Sequence, residues 1–297
     1  MQILSFASDI DGATRLAAEL DVATSEIERH QFPDGETRIT LPPLLSDRVL
    51  IFQTLNHPNT KLVELLIAAK TARREGAAQL TLIAPYLCYM RQDTAFHPGE
   101  AVSQTIVGGW LADHFDAIVT VDPHLHRVKQ LHHAVPVASA SAAIALSAAG
   151  TIGEFLRRQS RTMVLIGPDE ESAQWVGAAA AAAGCEFGVC QKVRHADRDT
   201  TVTLPNIDVR GAEVVLIDDI ASSGGTLISA AKACLGAGAS CVDAAVTHAL
   251  FDEQVAAAMS AAGITNLWST DSIAHPSNAI ALAPLLASAV RNSLQYR

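Results

Sequence analysis

Val214-Val215-Leu216-Ile217-Asp218-Asp219-Ile220-Ala221-Ser222-Ser223-Gly224-Gly225-Thr226 is the stretch around which the chain is organised. Four apolar residues in a row, with no polar alternation, specify a strand covered on both faces, as in a parallel sheet between helices. Two carboxylates stand where that strand should end. Two hydroxyls and two glycines follow, and the glycines let the backbone approach a ligand with no Cβ in the way. Leu227, Ile228, Ala231, Cys234 and Leu235 then recur at helical spacing. The start of such a helix aims amide N–H groups and the positive end of its dipole into the loop, which makes an anion site. Carboxylates repel phosphate, so Asp218 and Asp219 suit sugar hydroxyls or a metal ion. The stretch reads as a pocket for a phosphorylated polyol; the alternative is an acidic turn in an ordinary strand-to-helix connection.

Working outward, 297 residues suffice for two cores, and a net charge of −10 disfavours a nucleic-acid surface. No apolar run approaches the roughly 20 residues that cross a bilayer, so no membrane partner is expected. The N-terminus lacks the basic, apolar and small-residue succession of a secretory leader. Cys88, Cys185, Cys190, Cys234 and Cys241 are odd in number and fall within apolar stretches. They read as reduced core residues of a cytoplasmic protein, and none has the paired short spacing of a zinc site.

Upstream, apolar runs at 1–6, 49–53, 80–84 and 117–121 predict strands. Helical patterns at 13–20, 62–69 and 103–115 separate them, the alternation of an α/β domain. Phe32-Pro33-Asp34-Gly35-Glu36 is a turn between segments able to pair, a hairpin tip by itself. Tyr89-Met90-Arg91-Gln92-Asp93 follows a predicted strand; Arg91 suits a bidentate phosphate contact and Gln92 a base or ribose edge. A salt-bridged surface loop is the other reading of that run. Asp122-Pro123-His124-Leu125-His126 follows another strand, where a His beside an Asp can bind a metal or a phosphate. His126, His132 and His133 read as hydrogen-bonded structural residues.

After Pro136 an Ala-rich stretch predicts one helix reaching residue 159. A strand at 163–166 then ends in Pro168-Asp169-Glu170-Glu171, with the two glutamates expected in solvent. Past a strand at 185–190, Lys192 and Arg194 fall on one side of an extended segment. Two cations on a closing flap can neutralise charge that develops on a triphosphate; an exposed basic hairpin is the alternative. A final helix is expected over 282–296.

The central loop resembles the phosphoribosyl diphosphate (PRPP) loop of type I phosphoribosyltransferases and of PRPP synthetases, with Ser223 where Thr is commoner. The Phe32–Glu36 turn, the Arg91-Gln92-Asp93 run and the Lys192-Val193-Arg194 flap, in that order, resemble the PRPP synthetases, also called ribose-phosphate diphosphokinases. That resemblance implies two tandem type I phosphoribosyltransferase-like α/β domains, each a mainly parallel sheet flanked by helices. It implies an ATP-binding domain over 1–145, on which a helix over about 282–297 packs back, and a ribose-5-phosphate-binding domain over 146–281.

It further implies diphosphoryl transfer from ATP to the C1 hydroxyl of ribose 5-phosphate. Lys192 and Arg194 would be catalytic, with Arg194 also on the sugar phosphate. Phe32, Asp34, Gly35, Glu36, Arg91, Gln92 and Asp93 would bind ATP. Asp218, Asp219, Ser222, Ser223, Gly224, Gly225 and Thr226 would bind ribose 5-phosphate. Mg2+ would be held by His124 and Asp169, with Asp122 a further candidate. A homo-oligomer, dimer or hexamer, is implied, with the ATP site near a subunit interface. A phosphoribosyltransferase, or a non-catalytic relative of the synthetases, are the alternatives.

Overall fold

The computed structural model describes residues 1–159, 161–195 and 199–294, without the side chains of 192–195, 199–202, 293 and 294. Two compact units are present, one of Met1–Leu146 with Ala283–Arg297, the other of Ser147–Leu282. Each is an α/β unit built on its own largely parallel sheet.

The first unit runs β1 (Gln2–Phe6), α1 (Ile10–Leu20), β2 (Ala23–Gln31), β3 (Thr37–Thr40), β4 (Arg48–Phe52), α2 (Pro58–Arg74), β5 (Gln79–Ala84), α3 (Ser103–Ala112), β6 (Ala117–Val121), α4 (Leu131–Ala134) and β7 (Ala143–Leu146). Its strand order is β3-β2-β1-β4-β5-β6-β7, parallel throughout except for the antiparallel β2–β3 hairpin. β1 and β6 are buried along their whole length, as unalternated apolar runs require. Ser5 is tolerated inside β1 because its hydroxyl donates to the Phe52 carbonyl oxygen at 2.9 Å.

The second unit runs α5 (Ala149–Arg158), β8 (Met163–Gly167), α6 (Ala173–Ala183), β9 (Glu186–Val189), β10 (Gln191–His195), β11 (Asp199–Thr203), β12 (Glu213–Ala221), α7 (Gly225–Gly236), β13 (Cys241–Ala249), α8 (Glu253–Ala261), β14 (Ile264–Thr270) and β15 (Asn278–Ile280). Its sheet is parallel, in the order β15-β14-β13-β12-β8-β9. β10 and β11 form a separate antiparallel hairpin. The last helix, α9 (Ala283–Leu294), packs on α1 in the first unit, where Arg291 donates to the Glu19 carbonyl oxygen.

One local expectation is corrected. The Ala-rich stretch after Pro136 is not one helix: Ala143–Leu146 forms an edge strand paired with β6, and the helix begins only at Ala149. Backbone pairing available at the sheet edge overrides alanine's helical preference there. On α2 the buried face is Leu65, Ala68, Ala69 and Ala72, with Leu62 and Leu66 only half-buried. The alanines let the helix approach the sheet closely, and Glu64 lies beneath it at 2% exposure, held by Arg29 at 3.3 Å.

Candidate active site

In open α/β sheets, ligands bind beyond the carboxyl ends of the strands, where loops lead into helices. In the second unit β8 and β12 are neighbours, with Ile166 opposite Leu216, so Asp169 and the Asp218–Asp219 pair emerge side by side. Asp219 is 4% exposed, and its amide donates to Asp218 Oδ1 at 3.0 Å. Burial, and then the charges of Asp219 and Asp169, push the Asp218 carboxyl well above the usual carboxylate range. Three acids thus share one poorly solvated place, and a divalent cation or a set of hydroxyl donors would relieve their repulsion.

Asp169 is fixed by the turn after it. Ser172 Oγ donates back to the Asp169 carbonyl at 2.5 Å, and the Ser172 amide does so at 3.2 Å. Gly167 leaves the space for that serine, since a Cβ there would lie 2.3 Å from Ser172 Oγ. Glu170 and Glu171 are exposed.

Between β12 and α7 the loop presents Ser222, Ser223 and Gly225 to solvent, with Thr226 half-buried. Gly224 is buried at φ +72°, and a Cβ on it would sit 3.0 Å from Val255 Cγ1 and 3.2 Å from Met259 Cγ. Both the backbone angle and the packing therefore call for glycine. Gly224 caps α7 with no side-chain acceptor, so the first amides of the helix face the loop. Lys192 and Arg194 are carried on β10, opposite Val202 and Thr200 of β11, and are two residues apart on one strand. Their side chains lie outside the described residues.

In the first unit, the 32–36 turn closes with the Phe32 amide donating to the Glu36 carbonyl at 2.8 Å and the Gly35 amide to the Phe32 carbonyl at 3.0 Å. Gly35 has φ +94°, and the Glu36 amide donates to Asp34 Oδ1 at 3.1 Å. Phe32 remains 40% exposed at this tip, with its ring edge-on to His30.

The loop after β5 exposes Arg91, while Gln92 Nε2 donates to the Thr94 carbonyl at 2.9 Å. Asp93 is half-buried. Its carboxylate, 0% exposed, takes Arg127 Nη1 at 2.6 Å and the Arg127 amide at 3.1 Å. In the loop after β6, Asp122 is 4% exposed and held at φ +36°, and His124 Nε2 meets His126 Nε2 at 2.7 Å. Tyr89 is also left-handed, at φ +59°, with its hydroxyl on Asn59 Oδ1. Left-handed backbone at two non-glycine positions beside these strand ends is the strain that functional loops tend to hold.

Arg127 carries no signal in the sequence. No spacing rule connects Arg127 to an acid 34 residues away. Lys61 was also overlooked: its ammonium lies on the Thr54 carbonyl at 2.8 Å and Asn56 Oδ1 at 2.6 Å, with Asp9 at 4.0 Å. All five cysteines are free, and burial pushes the thiols of Cys88 and Cys234 to about 12 and that of Cys190 to about 11, which makes them inert. Among the described residues, no helix is long and apolar enough to cross a membrane.

Residues 1–114 match the N-terminal domain of ribose phosphate pyrophosphokinase, and residues 130–269 match the phosphoribosyl transferase domain. The chain is 34% identical to the ribose-phosphate pyrophosphokinase of Methanopyrus kandleri, over 98% of this chain and 99% of that protein. It is 32% identical to ribose-phosphate pyrophosphokinase 2 of Archaeoglobus fulgidus, over 93% and 94% of the two chains. The crystal structure of phosphoribosylpyrophosphate synthetase from Mycobacterium smegmatis superposes with a TM-score of 0.84 over 100% of this chain and 99% of that one, at 24% identity, a likeness of fold.

Proposed function

Because the chain belongs to the ribose-phosphate pyrophosphokinase family, we infer that it transfers the diphosphoryl group of ATP to the C1 hydroxyl of ribose 5-phosphate, giving 5-phosphoribosyl 1-diphosphate and AMP. The observation that carries this reading is the end of β12: two enclosed acids, then a hydroxyl and glycine loop running into an uncapped helix. Hydroxyl acceptors at one end and amide donors at the other match the two ends of a sugar phosphate. Asp218 and Asp219 take the ribose hydroxyls, and Ser222, Ser223, Gly224, Gly225 and Thr226 take the 5-phosphate.

In the reaction the C1 oxygen bonds to the β-phosphorus as that phosphorus loses its bond to the α,β-bridging oxygen. AMP leaves with that oxygen and its electron pair, and the hydroxyl proton passes to solvent. Little covalent work falls to the protein, so positioning and charge neutralisation dominate. Lys192 and Arg194 neutralise charge on the transferring group, and Arg194 also contacts the sugar phosphate. ATP is held by the first unit. Phe32 offers a stacking face, Asp34, Gly35 and Glu36 offer acceptors and a close backbone approach, and Arg91 and Gln92 bind phosphate and ribose.

The donors fit magnesium, an oxygen-seeking ion that the crowded carboxylates of Asp218, Asp219 and Asp169 favour. In the second unit Asp169 would hold such an ion, and in the first unit His124, with Asp122, is the candidate holder. When bound it supplies charge neutralisation on the phosphates.

Inert, unpaired thiols support a reducing, cytoplasmic setting. Leu44, Val63 and Ile106, at 85%, 56% and 62% exposure on the first unit, support a homo-oligomer, with the exposed Phe32 turn at a subunit boundary. Incubation with ATP, ribose 5-phosphate and magnesium tests the reading: AMP should form in equal amount with the ribosyl diphosphate. Formation of ADP, or none of either product, would reject it.

A further inference from the structure

We propose that Arg127 is a positioning residue for the nucleotide, clamping the loop that carries Arg91 and Gln92 to the loop that carries His124. The two loops leave adjacent strands, since β5 pairs with β6, and where they part the Val121 amide donates to the Pro85 carbonyl at 3.3 Å. Arg127 joins them through three contacts. Its Nη1 reaches Asp93 Oδ1 at 2.6 Å, its own backbone amide reaches Asp93 Oδ2 at 3.1 Å, and its guanidinium lies 5.7 Å over the Phe96 ring. A carboxylate that takes one guanidinium N–H on one oxygen and a main-chain amide on the other is fixed in both distance and rotation.

The far side of the clamp is built as well. Phe96, 63% exposed, is held by its amide, which donates to Glu100 Oε2 at 2.7 Å, so the ring under the guanidinium belongs to a closed turn. Burial opposes ionisation of Asp93, yet the Arg127 amide and guanidinium, with His126, hold the carboxyl below its ordinary value. Asp93 therefore stays ionised through the neutral range. Asp93 is covered while Arg127 is 59% exposed, which is the disposition of an anchor and its latch. Asp93 thus serves the nucleotide by holding Gln92, its neighbour, and Arg91, one residue further, rather than by touching it.

This inference rests on the assignment of Arg91 and Gln92 to ATP. The test is steady-state kinetics of Arg127→Gln, Arg127→Lys and Asp93→Asn, the double variant Asp93→Asn/Arg127→Gln, and Arg91→Ala, each with a melting curve. Arg127→Gln should raise KM for ATP by roughly tenfold to a hundredfold, the usual effect of displacing a binding loop by about an ångström, with KM for ribose 5-phosphate unchanged. The lysine variant should recover much of that loss, and the double variant should be no worse than the poorer single one. Arg127 is mostly exposed, so its variants should fold even if Asp93→Asn does not. Equal changes in KM for both substrates, a lowered Tm with unaltered KM for ATP, or additive losses in the double variant would overturn the clamp. An Arg91→Ala enzyme with normal KM for ATP would instead sink the nucleotide assignment.

Discussion

The β12–α7 connection of the second unit and the β4–α2 connection of the first occupy the same place in one strand order. The second sheet reads β9-β8-β12-β13-β14-β15 and the first, past its hairpin strand, β2-β1-β4-β5-β6-β7. The strand before each connection, β4 or β12, pairs in parallel with the strand that opens its unit's sheet, β1 or β8. Each connection enters its helix through a left-handed residue, Gly224 at φ +72° and His57 at φ +49°.

The chemistry nevertheless differs. In the first unit the acids are gone, and the Lys61 ammonium sits on the loop's own Thr54 carbonyl and Asn56 side chain. Chiefly through burial, Lys61 is lowered and Asp9 raised from their ordinary pKa values, so this corner is an internal polar contact rather than an open cradle. Strand order places a loop, and the residues in it decide whether it binds anything.

The hairpins that follow β2 and β9 in sequence give the largest contrast. Lys192→Ala should lower kcat by about two decades, the usual cost of one preorganised charge, while leaving KM for ATP within about twofold, because the charge acts on the transferring group. Phe32→Ala, in the other hairpin, should instead raise KM for ATP with a smaller fall in kcat. Steady-state kinetics of the two variants would break the comparison if their effects were exchanged.

The two left-handed positions come next. Gly224→Ala adds a Cβ at a left-handed site, at a cost of about 1–2 kcal/mol, and presses it on Val255 and Met259. It should therefore lower the urea midpoint and raise KM for ribose 5-phosphate by roughly tenfold. His57→Gly should change stability by less than about 1 kcal/mol, since relief of left-handed strain is offset by added backbone entropy. Its KM for ribose 5-phosphate should be that of the parent.

How far this contrast was legible in the sequence follows from where each part is written. The run from Val214 to Thr226 carries strand, acids, turn and helix start in consecutive residues, so local rules recover it. The Phe32–Glu36 turn likewise closes on itself. β7 was missed because Ala143–Leu146 is a strand only by virtue of β6 beside it. Glu64 lies on a helix whose sequence pattern gives no sign of its burial, and only tertiary packing encloses it. The Asp93–Arg127 clamp joins two loops whose proximity comes from strand pairing, which no motif spacing encodes.

Calorimetric titration of the whole protein with ribose 5-phosphate tests most directly whether one cradle, and not two, was built from the shared topology. One equivalent should bind per chain, and Asp218→Asn should abolish it. Burial raises the Asp218 pKa above 3.8, so binding that needs the ionised acid should weaken as pH falls through that raised value, while ordinary carboxylates are still charged. Two equivalents per chain, or undiminished binding to Asp218→Asn, would contradict the account.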